Sequence, residues 1–273
     1  MSVVVILGLS SDIGRELAVR FDSDNWTVWG TYRNSAGLGK MPPGVISVFC
    51  DLTSKDAIKQ AVAAFQRKNL RWDLLIIAAG TEQPIGPFWD CDDDEWDGGI
   101  AINALAPLRF VRGLYPMRNQ IGTPSVAFFS GSGTNNAAPA YSAYCVSKIM
   151  LIKMCELLDA ESSDTSFFIV GPGIVRTKIH QQTLSEPERS GYNYQKVVHF
   201  LDSDNPGTGH DDIFDCLKWC YTTGKSVIGG RNISLVHDSW RDGGEDLALK
   251  LRQDEQIYKL RRFGNELLFT KKS

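Results

Sequence analysis

An apolar segment that runs directly into a glycine-containing turn is the feature that most constrains the fold of this chain. Residues 3–7 are apolar throughout, which is typical of a strand buried on both faces of a sheet. Gly8 and Gly14 bracket the following turn, and residues 15–21 are predicted to form a helix. Glycines at such a turn let a ligand approach the backbone, and amides at the helix start can hold a pyrophosphate. A tight turn without a ligand is the alternative interpretation.

The rest of the chain repeats the alternation of strand and helix. Further strands are predicted at residues 26–32, 45–50, 74–77, 125–129, 166–170 and 226–236. Helices are predicted at residues 55–68, 95–118, 143–154 and 211–221. Strands that alternate with helices favour an α/β fold, a doubly wound, Rossmann-like parallel sheet of about seven strands with helices on both faces.

Composition excludes several other classes of protein. The chain has 273 residues, of which 43% are hydrophobic and 22% charged, and its formal net charge is -3. We therefore expect a folded domain that binds neither nucleic acid nor membranes. Met1 leads directly into the first strand without a basic region, so we expect no signal peptide and a cytoplasmic location. The six cysteines have no metal-binding or redox spacing, so we expect reduced thiols and no metal site.

Tyr144 and Lys148 stand four residues apart on a predicted helix and would therefore share one face. A nearby ammonium group favours the phenolate and lowers the pKa of the phenol, which is about 10 when unperturbed. A phenol tuned in this way can exchange a proton with a substrate oxygen. The alternative is an ordinary pair of helical neighbours. Asn103 is a second candidate, because it stands in a long helix shortly before Pro107, which should kink that helix and free a carbonyl.

Residues at the ends of the second, third and fourth strands indicate how a nucleotide would be held. No acidic residue ends the second strand, and Arg33 stands there instead, which favours a 2′-phosphate over a plain ribose. An exposed, solvated arginine is the alternative. Asp51 follows the third strand, where it or Thr53 could instead cap the next helix. Small residues follow the fourth strand, where a ligand could lie against the backbone.

In this order the motifs resemble those of the short-chain dehydrogenase/reductase family over roughly residues 3–236. The resemblance implies that Tyr144 is the general acid or base and that Lys148 lowers its pKa and binds the nicotinamide ribose. It also implies that Asn103 keeps a water in a proton relay, that a serine holds the substrate oxygen, and that the protein is a homodimer or homotetramer. The cofactor-binding residues implied are Gly8, Ser10, Ser11, Asp12, Ile13, Gly14, Arg33, Asp51, Leu52, Ala79, Gly80, Tyr144, Lys148, Pro172, Gly173, Val175 and Thr177. Among them, Thr177 would bond the nicotinamide carboxamide.

Three positions depart from the family pattern. Asp12 replaces the middle glycine of the turn, and the family's Asn-Asn-Ala-Gly after the fourth strand is Ile-Ala-Ala-Gly here. The family's serine stands thirteen residues before the tyrosine, where this chain has Gly131. Ser130 and Ser132 flank that glycine, and either could take the role.

These patterns predict an NADP(H)-dependent oxidoreductase that interconverts a carbonyl and a secondary alcohol, with NADP(H) favoured over NAD(H). One alternative is a sensor of the same fold that binds NADP(H) without turnover. Another is a nucleotide-sugar epimerase or dehydratase, although such enzymes usually have a longer C-terminal region than residues 238–273.

Two regions should complete the molecule. Residues 1–237 are expected to form a single domain with a substrate lid at residues 178–209, a polar loop. Residues 238–273 should form a helical extension, with a charged helix at residues 244–262. The polar lid, together with a likeness of the first turn and residues 236–241 to family members associated with bacterial surface polysaccharides, favours a sugar-like carbonyl substrate. Polar residues that simply face water on a mobile loop are the alternative.

Overall fold

The computed structural model describes residues 1–35, 38 and 41–262. Its centre is one sheet of seven parallel strands in the order β3-β2-β1-β4-β5-β6-β7. The strands are β1 (Val3–Leu7), β2 (Thr27–Tyr32), β3 (Ile46–Phe49), β4 (Leu74–Ile77), β5 (Ser125–Phe129), β6 (Ser166–Gly171) and β7 (Asn232–Ser234). The predicted fold class is confirmed.

Helices cover both faces of the sheet. They are α1 (Asp12–Ser23), α2 (Lys55–Arg67), α3 (Asp93–Ile100), α4 (Ala106–Leu114), α5 (Ser142–Glu161), α6 (His180–Leu184), α7 (Pro187–Ser190), α8 (Tyr192–Asp202), α9 (His210–Thr223), α10 (Lys225–Ile228) and α11 (Glu245–Gln253). No helix within the described ranges is both long and apolar enough to cross a bilayer.

Strand β1 shows how the sequence divides the core between the two faces. Val4 and Ile6 point into a cluster shared with α1, α9 and α11, whereas Val5 and Leu7 point into one shared with α2, α4 and α5. All four side chains are buried, because successive side chains of a strand face opposite sides of the sheet. An apolar residue at every position is therefore what a central strand requires.

A cleft lies between β1 and β4, where the order in which the chain adds strands to the sheet reverses direction. The chain passes outward from β1 to β2 and β3, then returns to β4 on the other side of β1. Ligands of open α/β sheets bind at such a switch point, outside the carboxyl ends of the strands. A cleft of 1410 Å³ lies along this edge.

The long helix predicted at residues 95–118 is divided into four segments. α3 and α4 are joined by a π-helical turn at Ala101–Leu105, and a 3₁₀ turn at Tyr115–Met117 ends the unit. Pro107 follows the π-helical turn directly, and because it has no amide proton it cannot donate to a carbonyl of that turn. α3 begins two residues before the predicted helix start: Asp92 caps it, and acidic residues fill its first turn, where the helix dipole favours negative charge.

Three other predictions of secondary structure were wrong in part. The last strand, expected over residues 226–236, is only β7, because helix α10 occupies residues 225–228 and Gly230 turns the chain with a φ of 72°. The segment at residues 178–209 contains helices α6, α7 and α8 rather than an irregular loop.

The C-terminal helix expected at residues 244–262 ends at residue 253. The buried guanidinium of Arg231 donates to the carbonyl oxygens of Leu251, Asp254 and Ile257, and thereby holds the chain beyond α11 in a non-helical path. The part of the predicted extension at residues 263–273 lies outside the described residues.

Candidate active site

The glycine turn between β1 and α1 is packed so closely that only glycine fits. Gly8 has a φ of 105°, and a side chain there would come within 2.9 Å of the Ala79 backbone nitrogen. A side chain at Gly14 would lie 2.1 Å from the Gly8 carbonyl oxygen. Ser11 caps α1 by accepting from the Gly14 amide at 2.9 Å, and its hydroxyl donates to the Gly8 carbonyl at 2.8 Å. Ser11, Asp12 and Ile13 line the cleft, so the amides at the start of α1 lie where a diphosphate would bind.

Asp12, the replacement for the family's middle glycine, fastens this turn to the segment after β6. Its carboxylate accepts from the Lys178 backbone amide at 2.6 Å and lies 3.3 Å from the Arg15 guanidinium. The Lys178 ammonium group also donates to the Ser10 carbonyl oxygen. The sequence motif did not predict this link, since residues 12 and 178 are far apart in the chain.

The residues predicted to hold the adenosine end follow β2 and β3. Arg33 is exposed just beyond β2, at the same edge of the sheet as the glycine turn. Asp51 accepts from the amide and the hydroxyl of Thr53 at 3.0 and 2.9 Å, and Leu52 packs against the core. Ser54, not Asp51 or Thr53, caps α2. Arg33, Asp51 and Leu52 are all described residues, and none of them lines the cleft.

Tyr144 and Lys148 lie on the buried side of α5, at the wall of the cleft. The Lys148 ammonium nitrogen is 5.4 Å from the centre of the Tyr144 ring and donates to the Phe129 carbonyl oxygen at 3.0 Å. Burial lowers the pKa of Lys148 to about 8. Burial also raises the pKa of the Tyr144 phenol, and the charge of Glu82 raises it further. We expected Lys148 to lower this pKa, but its ammonium group bonds the Phe129 carbonyl rather than the hydroxyl.

Gly131, which stands where the family has a serine, lies against the Tyr144 hydroxyl. A side chain at this position would come within 2.2 Å of the hydroxyl oxygen, so a serine does not fit this arrangement. Ser130 is buried at the end of β5, where its amide donates to the Val170 carbonyl at 3.0 Å, and Ser132 is exposed. Both serines line the cleft.

Asn103 is buried in the π-helical turn and fixes the loop that follows β4. Its side-chain oxygen accepts from the Thr81 amide, and its side-chain nitrogen donates to the Thr81 carbonyl, each at 2.8 Å. The amide of Asn103 therefore positions Thr81 and its neighbours beside the cleft.

The predicted residues after β4 and β6 meet at the same site. All of these predicted residues line the cleft, and they are Ala79, Gly80, Pro172, Gly173, Val175 and Thr177. Gly173 has a φ of 74°, and a side chain there would collide with Val236 at 2.6 Å. The segments after β4 and β6 both line the cleft, because the carboxyl ends of parallel strands meet at the same edge of the sheet.

Glu82 is the residue of the site that sequence reasoning missed. Its carboxylate accepts from the Thr183 hydroxyl at 3.0 Å, and its amide donates to the Gln182 side-chain oxygen at 2.7 Å. Burial raises the pKa of Glu82 to about 7, although the hydrogen bond from Thr183 opposes the shift. Nothing in the sequence around residue 82 or residue 183 signals this contact, which forms only when α6 packs beside the loop after β4.

Comparison with known proteins agrees with this geometry. A family model described as short chain dehydrogenase matches residues 2–188. The 17-beta-hydroxysteroid dehydrogenase type 1 of Homo sapiens is 28% identical over 203 residues, which cover 68% of this chain and 61% of the human protein. The match therefore spans less than two thirds of that relative.

Two solved structures share the fold. The short-chain dehydrogenase/reductase YIR035C from Saccharomyces cerevisiae has a TM-score of 0.79 and 22% identity, over 89% of this chain and 99% of the yeast chain. A short chain dehydrogenase from Shigella flexneri complexed with NADP has a TM-score of 0.68 and 20% identity, over 86% of this chain and 96% of that chain. Since the family model covers more than half of the sequence and both structures have this fold, the chain belongs to the short-chain dehydrogenase/reductase family.

Proposed function

We propose that this protein is an NADP(H)-dependent oxidoreductase that interconverts a carbonyl and a secondary alcohol. The observation that carries the proposal is the position of Tyr144 and Lys148, which share one cleft with the glycine turn. A nucleotide held at the turn and a substrate at Tyr144 would lie side by side, and this orientation supplies much of the rate enhancement.

The residues around the cleft fit a dinucleotide. The start of α1 would hold the diphosphate, and Thr177 and Lys148 would hold the nicotinamide end. Arg33 would bind a 2′-phosphate, since a guanidinium suits phosphate and no acid stands beside it at the end of β2. The bound nucleotide supplies the hydride, which is chemistry that amino-acid side chains lack.

Tyr144 would supply the proton. Its raised pKa keeps the phenol protonated at neutral pH but makes it a weak acid, so donation to a carbonyl oxygen requires a group that stabilises the phenolate. The ammonium group of Lys148, 5.4 Å from the ring, would stabilise the phenolate that remains.

The direct test is oxidation of NADPH in the presence of a panel of ketones and aldehydes. We expect turnover by the wild type, and a loss of about 10²–10⁴-fold in Tyr144→Phe with little change in cofactor affinity. Tyr221→Phe in α9, outside the cleft, is the matched control and should keep wild-type activity. Full activity of Tyr144→Phe would contradict the assigned role, and cofactor binding without turnover of any carbonyl would support a sensor.

Ser130 is the better placed of the two serines to hold the substrate oxygen. It is buried, and a hydrogen-bond donor shielded from water stabilises developing charge more strongly. We expect Ser130→Ala to lower kcat about 10²-fold and Ser132→Ala to have little effect. Equal, small losses in both variants would mean that the oxygen is held elsewhere.

Helices α6 to α8 would act as the substrate lid, and the polar side chains of this segment favour a hydroxylated carbonyl over a lipid. Residues 1–237 would form the working domain and residues 238–273 an extension of it. By family resemblance we also propose a cytoplasmic homodimer or homotetramer, which analytical ultracentrifugation of the purified protein tests. Preference for steroidal or medium-chain ketones would contradict the polar substrate and leave the oxidoreductase proposal intact.

A further inference from the structure

A partly buried carboxyl group lines the same cleft as Tyr144, and the mechanism proposed above does not use it. Glu82 stands in the loop after β4, with its carboxyl facing the cleft. One carboxylate oxygen accepts from the Thr183 hydroxyl at 3.0 Å, and Thr183 is in turn 2.7 Å from the Tyr141 hydroxyl. Since the Thr183 hydroxyl has one proton and gives it to Glu82, the Tyr141 hydroxyl donates to Thr183. Tyr141 and Thr183 thus fix the carboxyl in place.

The carboxylate of Glu82 has several hydrogen-bond acceptor sites without a partner among the described residues. A carboxylate offers about four acceptor sites, and within the described residues its side chain takes one hydrogen bond and forms no ion pair with a Lys, Arg or His. The neighbouring Gln182 acts here as an acceptor, since its side-chain oxygen accepts from the Thr81 hydroxyl and the Glu82 amide. The remaining acceptor sites of Glu82 are therefore free to accept from a donor group on a ligand in the cleft.

The position of Glu82 relative to Tyr144 shows which part of a ligand it would meet. Glu82 is linked through Thr183 to Tyr141, and Tyr141 packs in one cluster with Tyr144, so the three side chains lie at the same part of the cleft. A substrate whose carbonyl oxygen meets Tyr144 would therefore place its neighbouring carbon atoms towards Glu82. A donor group on those atoms would complete the hydrogen bonding of the carboxyl.

We infer that Glu82 determines substrate specificity by accepting a hydrogen bond from a hydroxyl group adjacent to the reacting carbonyl. The substrate class is then a hydroxyketone or a polyhydroxylated carbonyl, and this inference rests on the function proposed above. The same carboxyl disfavours keto acids, because a second carboxylate beside it would be repelled. The groups around it, Tyr141, Thr183 and Gln182, are neutral hydrogen-bonding side chains of the kind that suits a hydroxylated ligand.

Two ketones of matched size test the inference: hydroxyacetone, which carries the hydroxyl, and butanone, which has a methyl group in its place. The quantity measured is the ratio of kcat/KM for hydroxyacetone to kcat/KM for butanone, with NADPH in excess. We expect the wild type to prefer hydroxyacetone, and the ratio to fall about tenfold or more in Glu82→Leu, because the acceptor is lost. Glu82→Gln keeps a carbonyl oxygen and should retain part of the preference. Pyruvate, the corresponding keto acid, should be turned over poorly by the wild type and better by Glu82→Gln.

The matched control is Glu188→Gln, an exposed glutamate that also lies at the cleft, and it should leave the ratio unchanged. Thermal unfolding of each variant shows that it is folded. A wild-type ratio near one, or the same ratio in the wild type and Glu82→Leu, overturns the inference.

Measuring ketone binding without turnover distinguishes failure of the Glu82 inference from failure of the proposed oxidoreductase function. Dissociation constants of both ketones are measured by ligand-observed NMR with the protein saturated with NADP⁺, which does not reduce them. A hydroxyl preference that is present in the wild type and lost in Glu82→Leu supports the role of Glu82 even if no variant turns over either ketone. In that case the oxidoreductase proposal alone fails. Equal binding of both ketones by the wild type overturns the role of Glu82 whether or not turnover occurs.

Discussion

The glycine turn and the helical segment at residues 178–209 form two sides of the same cleft, but they are built in different ways. Within the turn, contacts join residues close in sequence, such as those of Ser11 with Gly8 and Gly14, and Asp12 adds a link to the distant Lys178. The helical segment is held by single side chains that reach distant backbone atoms, such as Gln182 to Glu82 and Arg189 to Ile85. The turn is therefore fixed mainly by backbone geometry, whereas the helical segment is fixed by a few polar contacts that can break individually.

The largest effect should come from filling the space inside the turn. In Gly14→Ala the new methyl group would lie 2.1 Å from a backbone oxygen, so the turn must shift. We expect a loss of about 3 kcal/mol or more in the free energy of unfolding, with loss of NADPH binding. Gly98→Ala, also within a helix but with open space around it, is the control and should gain about 0.5–1 kcal/mol. Chemical denaturation and cofactor titration measure both, and equal effects of the two variants would contradict the rigid turn.

The next effect concerns the contact of Glu82 with the lid and depends on pH. The pKa of Glu82 is raised from 4.5 to about 7 in the folded protein, so its contribution to stability is complete below pH 4.5 and is lost as the pH rises through 7. Between pH 5 and pH 8 this loss is about 2 kcal/mol. Glu82→Gln should remove that part of the pH dependence, as measured by urea unfolding at several pH values. An unchanged pH profile in Glu82→Gln would show that the carboxyl ionises normally.

The cofactor side can be tested further at Arg33. We expect Arg33→Asp to weaken NADPH binding about tenfold or more and to reduce or reverse the preference over NADH, because a phosphate would then face a carboxylate. Arg67→Asp, an exposed arginine in α2, makes the same charge change elsewhere. Fluorescence titration of both nucleotides measures the effect, and equal affinity of the wild type for NADPH and NADH would refute the preference.

The smallest effect should come from loosening the lid alone. Gln182→Ala removes the acceptor for the Thr81 hydroxyl and the Glu82 amide, which is worth about 1 kcal/mol. Hydrogen exchange should accelerate about fivefold in α6 to α8, with little change in the sheet. Gln181→Ala, at an exposed neighbouring position, is the control. Acceleration across the whole protein would mean that the lid and the sheet open together.

The same contrast explains what the sequence could predict. The sheet, the glycine turn and the face shared by Tyr144 and Lys148 follow from spacing within short segments, and the structure has all three. The direction of the pKa of Tyr144 did not follow, because it depends on burial and on Glu82, a distant residue. Likewise, the three short helices after residue 178 were missed, since their positions depend on contacts with residues almost a hundred positions earlier.

The close contact between Gly131 and the Tyr144 hydroxyl has a consequence for how this sequence can diverge. A single codon change that restored the family serine would put its side chain 2.2 Å from the hydroxyl oxygen and displace the ring. A lineage with this arrangement can regain the serine only after a neighbouring change has moved the loop or the tyrosine. Glycine at 131 is therefore expected to be kept in descendants of this sequence that keep tyrosine at 144 in this position.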